Sequence, residues 1–417
     1  MHTISSEGNI LDRKVAFCGN KMRLLHVIDT ADTRSGGPIQ GLKVAAIRQQ
    51  RGVDATVISL DPDEFDDLAV LPFETHGLGQ KHLINLFAPN FRYSSSMVPW
   101  IRENAHRFDA VIVHGIWCYH TIAVHTALKG TSIPYVVYTH GMMDPWFKNA
   151  YPLKHIKKQI YWWLFLGRAL RDAALILFTA EDEKLLARGV FLGYRKYKER
   201  VVKYGTVDAP NNIDEQNAAF QERFPEMAGR RYLLFLSRID PKKGCDLLIS
   251  AFASIAERYP NLDLIMAGPD KTNWRPHLEA LARSMGISSR IHWPGMLSGD
   301  VKWGAFRNAE AFVLPSHQEN FGIAVAEALS CGLPVLISRR INIWREIDAA
   351  GAGLISEDTQ AGTIKLLQTF VDLSQDRRKE MGEKARGIFL DRFNIDTNSM
   401  ELIEILNEYV IVRKKTP

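Results

Sequence analysis

The sequence predicts an α/β protein with two doubly wound domains that face each other across a cleft. At 417 residues, the chain is long for one hydrophobic core. Short β-branched apolar runs alternate with longer helical patterns, which is typical of parallel sheets covered by helices on both faces. The alternation occurs twice, on either side of a polar stretch, and no short repeat relates the halves. We therefore expect two separate domains.

Five strands are predicted in the first half, which we assign to residues 22–205. Their sequences are RLLHVID, DATVISL, DAVIVHG, PYVVYTHG and ALILFTA, and helical patterns such as IQGLKVAAIRQQ and HTIAVHTALKG lie between them. Residues 1–21 mix charged, serine and glycine residues without the apolar segment of a signal peptide. We expect a disordered N-terminal extension, with Met22 as an alternative start.

The second half repeats the pattern after a polar stretch at 206–228, which we interpret as a linker. We place the second domain at 229–392, on the strand-like runs YLLFLSRID, LDLIMAGPD, RIHWPG, AFVLPS and PVLIS. The sequence of residues 393–417 predicts a final amphipathic helix. Open α/β sheets bind ligands at the carboxyl ends of their strands, so we expect the chemistry in the cleft between the domains.

The composition indicates which ligands, redox compartment and location suit the protein. The formal charge of +5 and the pI of about 8.9 suit an anionic ligand or an anionic membrane surface. This charge is too weak to indicate nucleic acid as a partner. Four scattered cysteines without a C-x-x-C pair favour free thiols in a reducing compartment. No apolar run approaches the roughly 20 residues that span a bilayer, so we expect a cytoplasmic protein.

A loop rich in cations follows the first strand of the second half. In LSRIDPKKGCDLLISAF, Arg238 follows the strand and Lys243 precedes the start of a helix. Two cations beside the free backbone N–H groups of a helix N-terminus form a strong site for phosphate. The alternative is that both charges are solvated on a surface loop.

Two glycines follow the first strand of the chain. In DTADTRSGGPIQG, Gly36 and Gly37 precede Pro38, which is a favourable first residue for a helix. Glycines at this place let a ligand approach the backbone, and the helix start favours an anion. The alternative is a plain turn. No G-x-G-x-x-G follows a strand, which argues against a nicotinamide cofactor.

Two acids lie eight residues apart in HQENFGIAVAEALSCG. Glu319 is predicted at the carboxyl end of a strand, where it faces the cleft, and the amides of Asn320, Phe321 and Gly322 can point at bound oxygens. Glu327 lies about two helical turns further on and can reach a second group of an elongated ligand. Two such carboxylates fit a ligand rich in hydroxyl groups. The alternative places Glu319 as a helix cap and Glu327 on the solvent face.

In this order, the segments GGP, SRIDPKKG and PSHQENFGIAVAEALSCGLPV resemble the retaining glycosyltransferases of the GT-B fold, family 4. The resemblance extends over nearly everything from Met22 to Val410. It implies two Rossmann-like domains, an acceptor domain at 22–205 and a nucleotide-sugar-binding domain at 229–392. It also implies that the C-terminal helix packs back on the first domain.

The resemblance implies roles for the residues of the cleft. Arg238 and Lys243 would hold the diphosphate of a nucleotide-sugar and stabilise the departing charge. Glu327 would bind the ribose hydroxyls, and Glu319 would bind the hydroxyls of the donor sugar. His140, in YTHGMMDPW, matches the family's histidine near the donor sugar and the reacting centre, although alone it would more often be a structural histidine. The residues expected to be catalytic are therefore Glu319, His140, Arg238 and Lys243.

Further contacts are implied around the same ligand. The amides of residues 320–322 would lie beside the donor sugar, and Gly36 and Gly37 would approach the phosphate and the acceptor. His114, which also ends a predicted strand, is expected on the acceptor side. The two glutamates are not expected to act as the acid and nucleophile of a glycosidase, because their implied roles differ.

No metal is expected in the site. The sequence D-P-D at Asp61–Asp63 has the form of a metal-binding D-x-D, but it follows the second strand of the first domain and contains a proline. We interpret it as a turn. Neither a zinc signature nor a P-loop is present.

The segment 152–173 bears on partners. Its three lysines and two neighbouring tryptophans are Lys154, Lys157, Lys158, Trp162 and Trp163. A basic start with an aromatic and apolar body can rest on an anionic membrane, which would make the protein peripheral at the inner face of the membrane. The alternative is a domain helix that buries its aromatic side chains and exposes its lysines.

From these residues and this resemblance we expect a retaining glycosyltransferase. It would transfer a sugar from a UDP- or GDP-sugar, as co-substrate, to a glycan or lipid-linked acceptor in surface polysaccharide or lipopolysaccharide biosynthesis, without a cofactor. A sugar-nucleotide epimerase and a glucan or disaccharide synthase are alternatives with the same fold. A non-catalytic two-domain sugar-binding protein is a further alternative, although such proteins are normally exported.

Overall fold

The computed structural model describes residues 21–32, 37–79, 91–193 and 196–414. Except for Lys21, the predicted N-terminal extension lies outside the described residues, and so does Gly36. The described chain forms two parallel sheets, one in each predicted half. The predicted α/β architecture with two doubly wound sheets is therefore confirmed.

The first sheet has seven parallel strands in the order β3-β2-β1-β4-β5-β6-β7. They are β1 (Arg23–Ile28), β2 (Asp54–Ser59), β3 (Glu74–Gly77), β4 (Ala110–His114), β5 (Tyr135–Tyr138), β6 (Leu175–Phe178) and β7 (Glu199–Val201). The five predicted strands are the buried, apolar ones in the middle of this order. The sequence misses β3 and β7 because both are short, polar edge strands.

Eight helices of the described chain accompany this sheet. They are α1 (Gly37–Gln50), α2 (Asp66–Ala69), α3 (Met97–Asn104), α4 (Tyr119–Leu128), α5 (Trp146–Ala150), α6 (Pro152–Tyr161), α7 (Gly167–Asp172) and α8 (Glu181–Ala187). A π-helical turn, Trp162–Leu166, joins α6 to α7. Pro152 is the first residue of α6, where a missing backbone N–H is tolerated.

The second sheet has six parallel strands in the order β10-β9-β8-β11-β12-β13. They are β8 (Arg231–Leu236), β9 (Leu262–Ala267), β10 (Ile291–Gly295), β11 (Ala311–Leu314), β12 (Val335–Ser338) and β13 (Gly353–Ser356). The accompanying helices are α9 (Ile213–Arg223), α10 (Cys245–Ala256), α11 (Arg275–Ser284), α12 (Gly299–Asn308), α13 (Ile323–Ser330), α14 (Trp344–Ala350), α15 (Gln360–Val371) and α16 (Gln375–Ile388). Buried side chains such as Leu234, Ile265 and Phe312 form one core around this sheet.

The end of the chain returns to the first domain. After a π-helical turn at Phe389–Phe393 come α17 (Ile395–Asn398) and α18 (Glu401–Lys414). Leu402 and Leu406 of α18 share a core with residues of the first sheet. The predicted packing of the C-terminal helix on the first domain is therefore confirmed. Among the residues described, no helix combines the length and the apolar character needed to cross a membrane.

The stretch interpreted as a linker contains α9, which packs on the second domain. The rings of Phe220, on α9, and Tyr232, on β8, lie with their centroids 5.5 Å apart. A Cβ atom on Gly304 of α12 would lie 2.2 Å from the carbonyl oxygen of Gln216, so these two helices are in close contact. Most of the stretch is thus folded onto the second domain, and the domain boundaries stay predictions.

Candidate active site

A cavity of about 480 Å³ lies between the two domains, beside the carboxyl ends of β8 and β11. This is where open α/β sheets bind their ligands. Eight residues that the sequence selects line it: His140, Arg238, Lys243, Glu319, Asn320, Phe321, Gly322 and Glu327. The fold therefore brings together residues from both domains and from three separate motifs.

Lys243 and Glu319 form an ion pair in this cavity, in which Nζ of Lys243 donates to Oε2 of Glu319. The Asp240 carboxylate accepts the backbone N–H of Lys242 at 2.9 Å and thereby holds the loop that carries both lysines. Burial acts to raise the pKa of Glu319, but the charge of Lys243, with those of Lys242 and Arg238, holds this pKa below its ordinary value. Glu319 is therefore ionised and accepts hydrogen bonds only.

Two further cations belong to the same loop. Arg238 is exposed at the cavity, and the Lys242 ammonium lies 5.5 Å from the Trp146 ring centroid and 4.8 Å from that of Phe147, both on α5. Burial and the charge of Lys243 lower the pKa of Lys242 to about 8. Three cations on one loop favour a polyanionic ligand such as a diphosphate. Lys242 was not among the predicted site residues, although it precedes Lys243 directly in the motif.

Glu327 lies on α13, and one of its oxygens already has a partner. Nζ of Lys302, on α12, donates to Oε1 of Glu327 at 2.9 Å, and only 13% of the Glu327 side chain is exposed. No hydrogen bond from another described residue reaches Oε2, so this atom can accept a ligand hydroxyl. Sequence reasoning missed Lys302 because no local pattern links it to a glutamate 25 residues away.

The backbone between Glu319 and α13 makes a sharp turn. The N–H of Glu319 donates to the Arg340 carbonyl at 2.9 Å, and Gly322, which precedes α13, has a φ of 75° that favours glycine. The Phe321 side chain is buried against Tyr204 and Phe393, with ring centroids 5.4 and 5.7 Å away. Its side chain therefore anchors the turn.

The first domain contributes His140 in a strained backbone conformation. His140 has a φ of 48°, in the left-handed region that non-glycine residues rarely adopt. The buried Glu183 carboxylate fixes this turn because its Oε1 accepts both the Thr139 hydroxyl and the Gly141 N–H at 2.6 Å. Such strain is typical of functional positions. Glu183 was not among the predicted site residues, although an acid in the first turn of the helix that follows the apolar strand β6 is a usable signal.

The His140 ring and two buried imidazoles behind it, His114 and His26, form a chain of hydrogen bonds. Nε2 of His140 lies 3.2 Å from Nδ1 of His114, and Nε2 of His114 lies 2.9 Å from Nδ1 of His26. Burial lowers the pKa of His26 and of His140 to about 3, and lowers that of His114 well below its usual value. The rings are therefore neutral. His114 lies one hydrogen bond behind the cavity wall, and its acceptor role stays a prediction.

A hydrogen-bonded chain connects the two domains at the cavity. Nδ2 of Asn320 donates to the Thr179 hydroxyl at 3.0 Å, and the same hydroxyl donates to Glu183 at 2.8 Å. The backbones are also close, because a Cβ atom on Gly141 would lie 2.7 Å from Cβ of Asn320. The Glu183 carboxylate thus holds both the His140 turn and the residue that follows Glu319.

The glycine-rich start of α1 also approaches the cavity. Gly37 is the first residue of α1, and Ile39 and Lys43 of this helix line the cavity. The proposed contact of Gly37 with a phosphate or acceptor stays a prediction.

Asp61 and Asp63 have structural partners. The Asp61 carboxylate accepts the Ala31 N–H and a guanidinium N–H of Arg92, each at 2.7 Å. The Asp63 carboxylate accepts the Gly77 N–H at 3.3 Å. In the part of the chain that the structure describes, no three His, Cys, Asp or Glu side chains are grouped to hold a metal ion. Both aspartates therefore hold loops of the first domain together.

Two family models match the chain. The model of the glycosyl transferase 4-like domain matches residues 40–205, and the model of glycosyl transferases group 1 matches residues 216–388. Together they account for both domains.

Curated relatives match parts of the chain. It is 32% identical over 173 residues to an uncharacterized glycosyltransferase of Methanocaldococcus jannaschii. The matched segment covers 42% of this chain and 41% of that protein. It is 27% identical over 261 residues to a D-inositol 3-phosphate glycosyltransferase of Corynebacterium urealyticum, which is 59% of each protein. The chain therefore spans less than two thirds of the length of either relative.

A solved structure matches almost the whole chain. Anabaena HepE in complex with UDP and glucose superposes with a TM-score of 0.71 at 16% identity, over 93% of this chain and 100% of that one. At this identity the match is evidence for the fold. The two parallel sheets, the cleft between them and the two family models agree, and the chain belongs to the family 4 glycosyltransferases of the GT-B fold.

Proposed function

We propose that this enzyme transfers a sugar, with retention of configuration, from a UDP- or GDP-sugar to a glycan or lipid-linked acceptor. The observation that carries the proposal is the meeting of Arg238, Lys243, Glu319 and Glu327 in one cavity between the domains. Cations suit a diphosphate, and carboxylates suit the hydroxyl groups of a sugar and a ribose. HepE, which has the same fold, was solved with UDP and glucose.

In this proposal each group acts on one part of the donor. Arg238 and Lys243 stabilise the negative charge that grows on the leaving diphosphate, because they are already positioned in the cavity. Glu319 accepts hydrogen bonds from the donor sugar, and Oε2 of Glu327 accepts one from the ribose. The neutral His140 ring and its turn lie on the opposite side of the cleft, beside the reacting sugar.

A thermal-shift screen against UDP-, GDP- and ADP-sugars tests the donor class. We expect UDP- or GDP-sugars to raise the melting temperature, since a ligand at a hundred times its Kd stabilises a protein by about 2.7 kcal/mol. No shift with any nucleotide-sugar would count against the proposal. Product analysis then separates sugar transfer from epimerisation of the donor, and NMR of the product shows whether the anomeric configuration is retained.

We also propose that the reaction needs no metal ion, because Asp61 and Asp63 are engaged within the first domain. Activity should persist in excess EDTA. Complete loss of activity that Mg²⁺ or Mn²⁺ restores would overturn this part of the proposal.

We propose that α6 and the π-helical turn dock on an anionic membrane, which suits a role in surface polysaccharide or lipopolysaccharide biosynthesis. Leu153, Ile156 and Leu164 have exposed fractions of 77%, 56% and 56%. Lys154 and Lys157 are exposed on the same segment. An apolar face beside lysines is typical of helices that lie in a membrane interface.

Vesicle binding tests the docking proposal. The double substitution Lys154→Gln, Lys157→Gln should weaken binding to phosphatidylglycerol vesicles about 30-fold at low salt. Lys129→Gln, a change at an exposed lysine of another helix end, is the control and should bind normally. Binding that is equal on phosphatidylcholine vesicles and insensitive to salt would contradict the proposal.

A further inference from the structure

A second cavity, of about 180 Å³, adjoins the donor cavity on the side of the first domain. The two cavities share Met142 and Phe147 in their walls. The other residues that line the second cavity are Asp29, Ile116, Trp117, Cys118, His120 and Lys158. Asp29 follows β1 and Ile116 follows β4, so this cavity lies at the carboxyl ends of the first sheet. An acceptor bound here would face a donor in the larger cavity.

Lys158 provides the positive charge of the second cavity. Its ammonium lies 4.3 Å from the ring centroid of Trp117 and 5.4 Å from that of Phe147. Among the residues that the structure describes, no carboxylate forms an ion pair with it. Burial, and then the charge of Lys154, lower the pKa of Lys158 to about 8. A half-buried ammonium without an ion-pair partner gains more from an anionic ligand than a solvated ammonium does.

The remaining walls suit a sugar ring. The Trp117 indole is fixed because its Nε1–H donates to the Met142 carbonyl at 3.0 Å. Pockets that combine aromatic walls with a few polar groups are typical of small-molecule sites. The Asp29 carboxylate can accept hydrogen bonds from ligand hydroxyls. Burial raises the pKa of the Cys118 thiol to about 12, so this group stays neutral beside Asp29.

We propose that this cavity is the acceptor site and that Lys158 selects an acceptor sugar that carries an anionic group, either a phosphate or a carboxylate. The inference rests on the proposed transferase function and adds the chemical class of the acceptor. Lys158 lies on α6, whose outer side bears the exposed Leu153 and Ile156. The anionic group can therefore be the carboxylate of a sugar acid. It can equally be the phosphate that links a sugar to a lipid.

Saturation-transfer NMR with simple probes tests the proposal. The probes are glucose, galactose and mannose, each compared with its 6-phosphate and its uronic acid, in the presence of saturating UDP or GDP to occupy the donor cavity. In at least one series, an anionic sugar should bind at least ten times more tightly than the parent sugar. Lys158→Gln should abolish this preference, and the control Lys129→Gln should keep it.

The outcomes separate the two proposals. If parent and anionic sugars bind equally, if no probe binds, or if Lys158→Gln keeps the preference, the acceptor assignment is wrong. Equal binding of phosphates and uronic acids supports selection by charge alone, and a preference for one of them identifies the group. Binding of UDP and GDP without sugar is measured separately, and failure there would contradict the donor proposal instead.

Discussion

Single residues determine what the cleft can hold, and Lys243 is the central one. It is 4% exposed and pairs with Glu319, so a carboxylate and an ammonium face the cavity together. This pair can accept hydrogen bonds from hydroxyls and donate them to phosphate at neighbouring points. Glu327 has a different partner, because it accepts a hydrogen bond from Lys302. We expect this bond to orient Glu327 toward a different part of the ligand.

The two acids should therefore differ in their effect on nucleotide binding. Glu327→Gln should weaken binding of free UDP or GDP, because the ribose belongs to the nucleotide. Glu319→Gln should leave the affinity for free UDP or GDP almost unchanged. It should lower the rate of sugar transfer and reduce the discrimination between epimeric donor sugars. A hydrogen bond to a charged group contributes roughly 1.5–3 kcal/mol, so each loss should be about 10- to 100-fold. Calorimetry on both variants measures this, and equal losses would refute the division of roles.

The lowered pKa values of the histidine chain predict that the fold is sensitive to acid. His26 and His140 have folded-state pKa values of about 3, below the ordinary value of 6.5. The unfolded chain therefore binds more protons below pH 6.5, and stability present above that pH is lost as the pH falls toward 3. Each histidine contributes about 1.4 kcal/mol per pH unit in this range.

Thermal unfolding between pH 6.5 and 5 measures this effect. The melting temperature should fall with pH, and His26→Gln should make the decrease less steep. His106→Gln, a change at an exposed histidine, is the control and should follow the parent protein. A melting temperature that is flat across this range would show that the folded protein does not keep the histidine chain neutral.

Among the structural elements, the turn between β5 and α5 links the chemistry of the two domains. It carries His140, it is fixed by Glu183 of α8, and it contacts Asn320 at the start of the turn before α13. The proximity of Gly141 to Asn320 sets how closely the two sides of the cleft approach each other.

Gly141→Ala should uncouple donor binding from transfer. Its Cβ would lie 2.7 Å from that of Asn320, so the turn and the second domain must move apart. A displacement of about 1 Å at a reacting centre can lower turnover by about 100-fold, while nucleotide affinity in the second domain should hold. Gly130→Ala is a matched control, because Gly130 also has a positive φ, of 84°, but no atom within 4 Å. Equal losses of kcat in the two variants would contradict this role for the contact.

At the scale of the whole molecule, the sequence was most informative where structure is local. Apolar runs such as AVIVH predict buried strands, and a motif such as SRIDPKKG keeps Arg238 and Lys243 on one loop. The edge strands β3, β7 and β13 were not predicted, because they are short and β3 and β7 are also polar. Contacts such as Lys302–Glu327 and His26–His114 were not predicted. They depend on how helices and strands pack together, and no local sequence pattern indicates that packing.

The central claim is that the cleft binds a nucleoside diphosphate through the loop after β8, and calorimetry tests it most directly. Arg238 is the better residue to change, because it is exposed, whereas removal of Lys243 would leave Glu319 without its partner. Arg258→Ala is the control, since Arg258 pairs with Asp372 at the surface of the second domain. We predict that the parent protein and Arg258→Ala bind UDP or GDP alike and that Arg238→Ala binds about 10-fold or more weakly. Undiminished binding in Arg238→Ala, or no binding of any nucleoside diphosphate to the parent protein, would contradict the account.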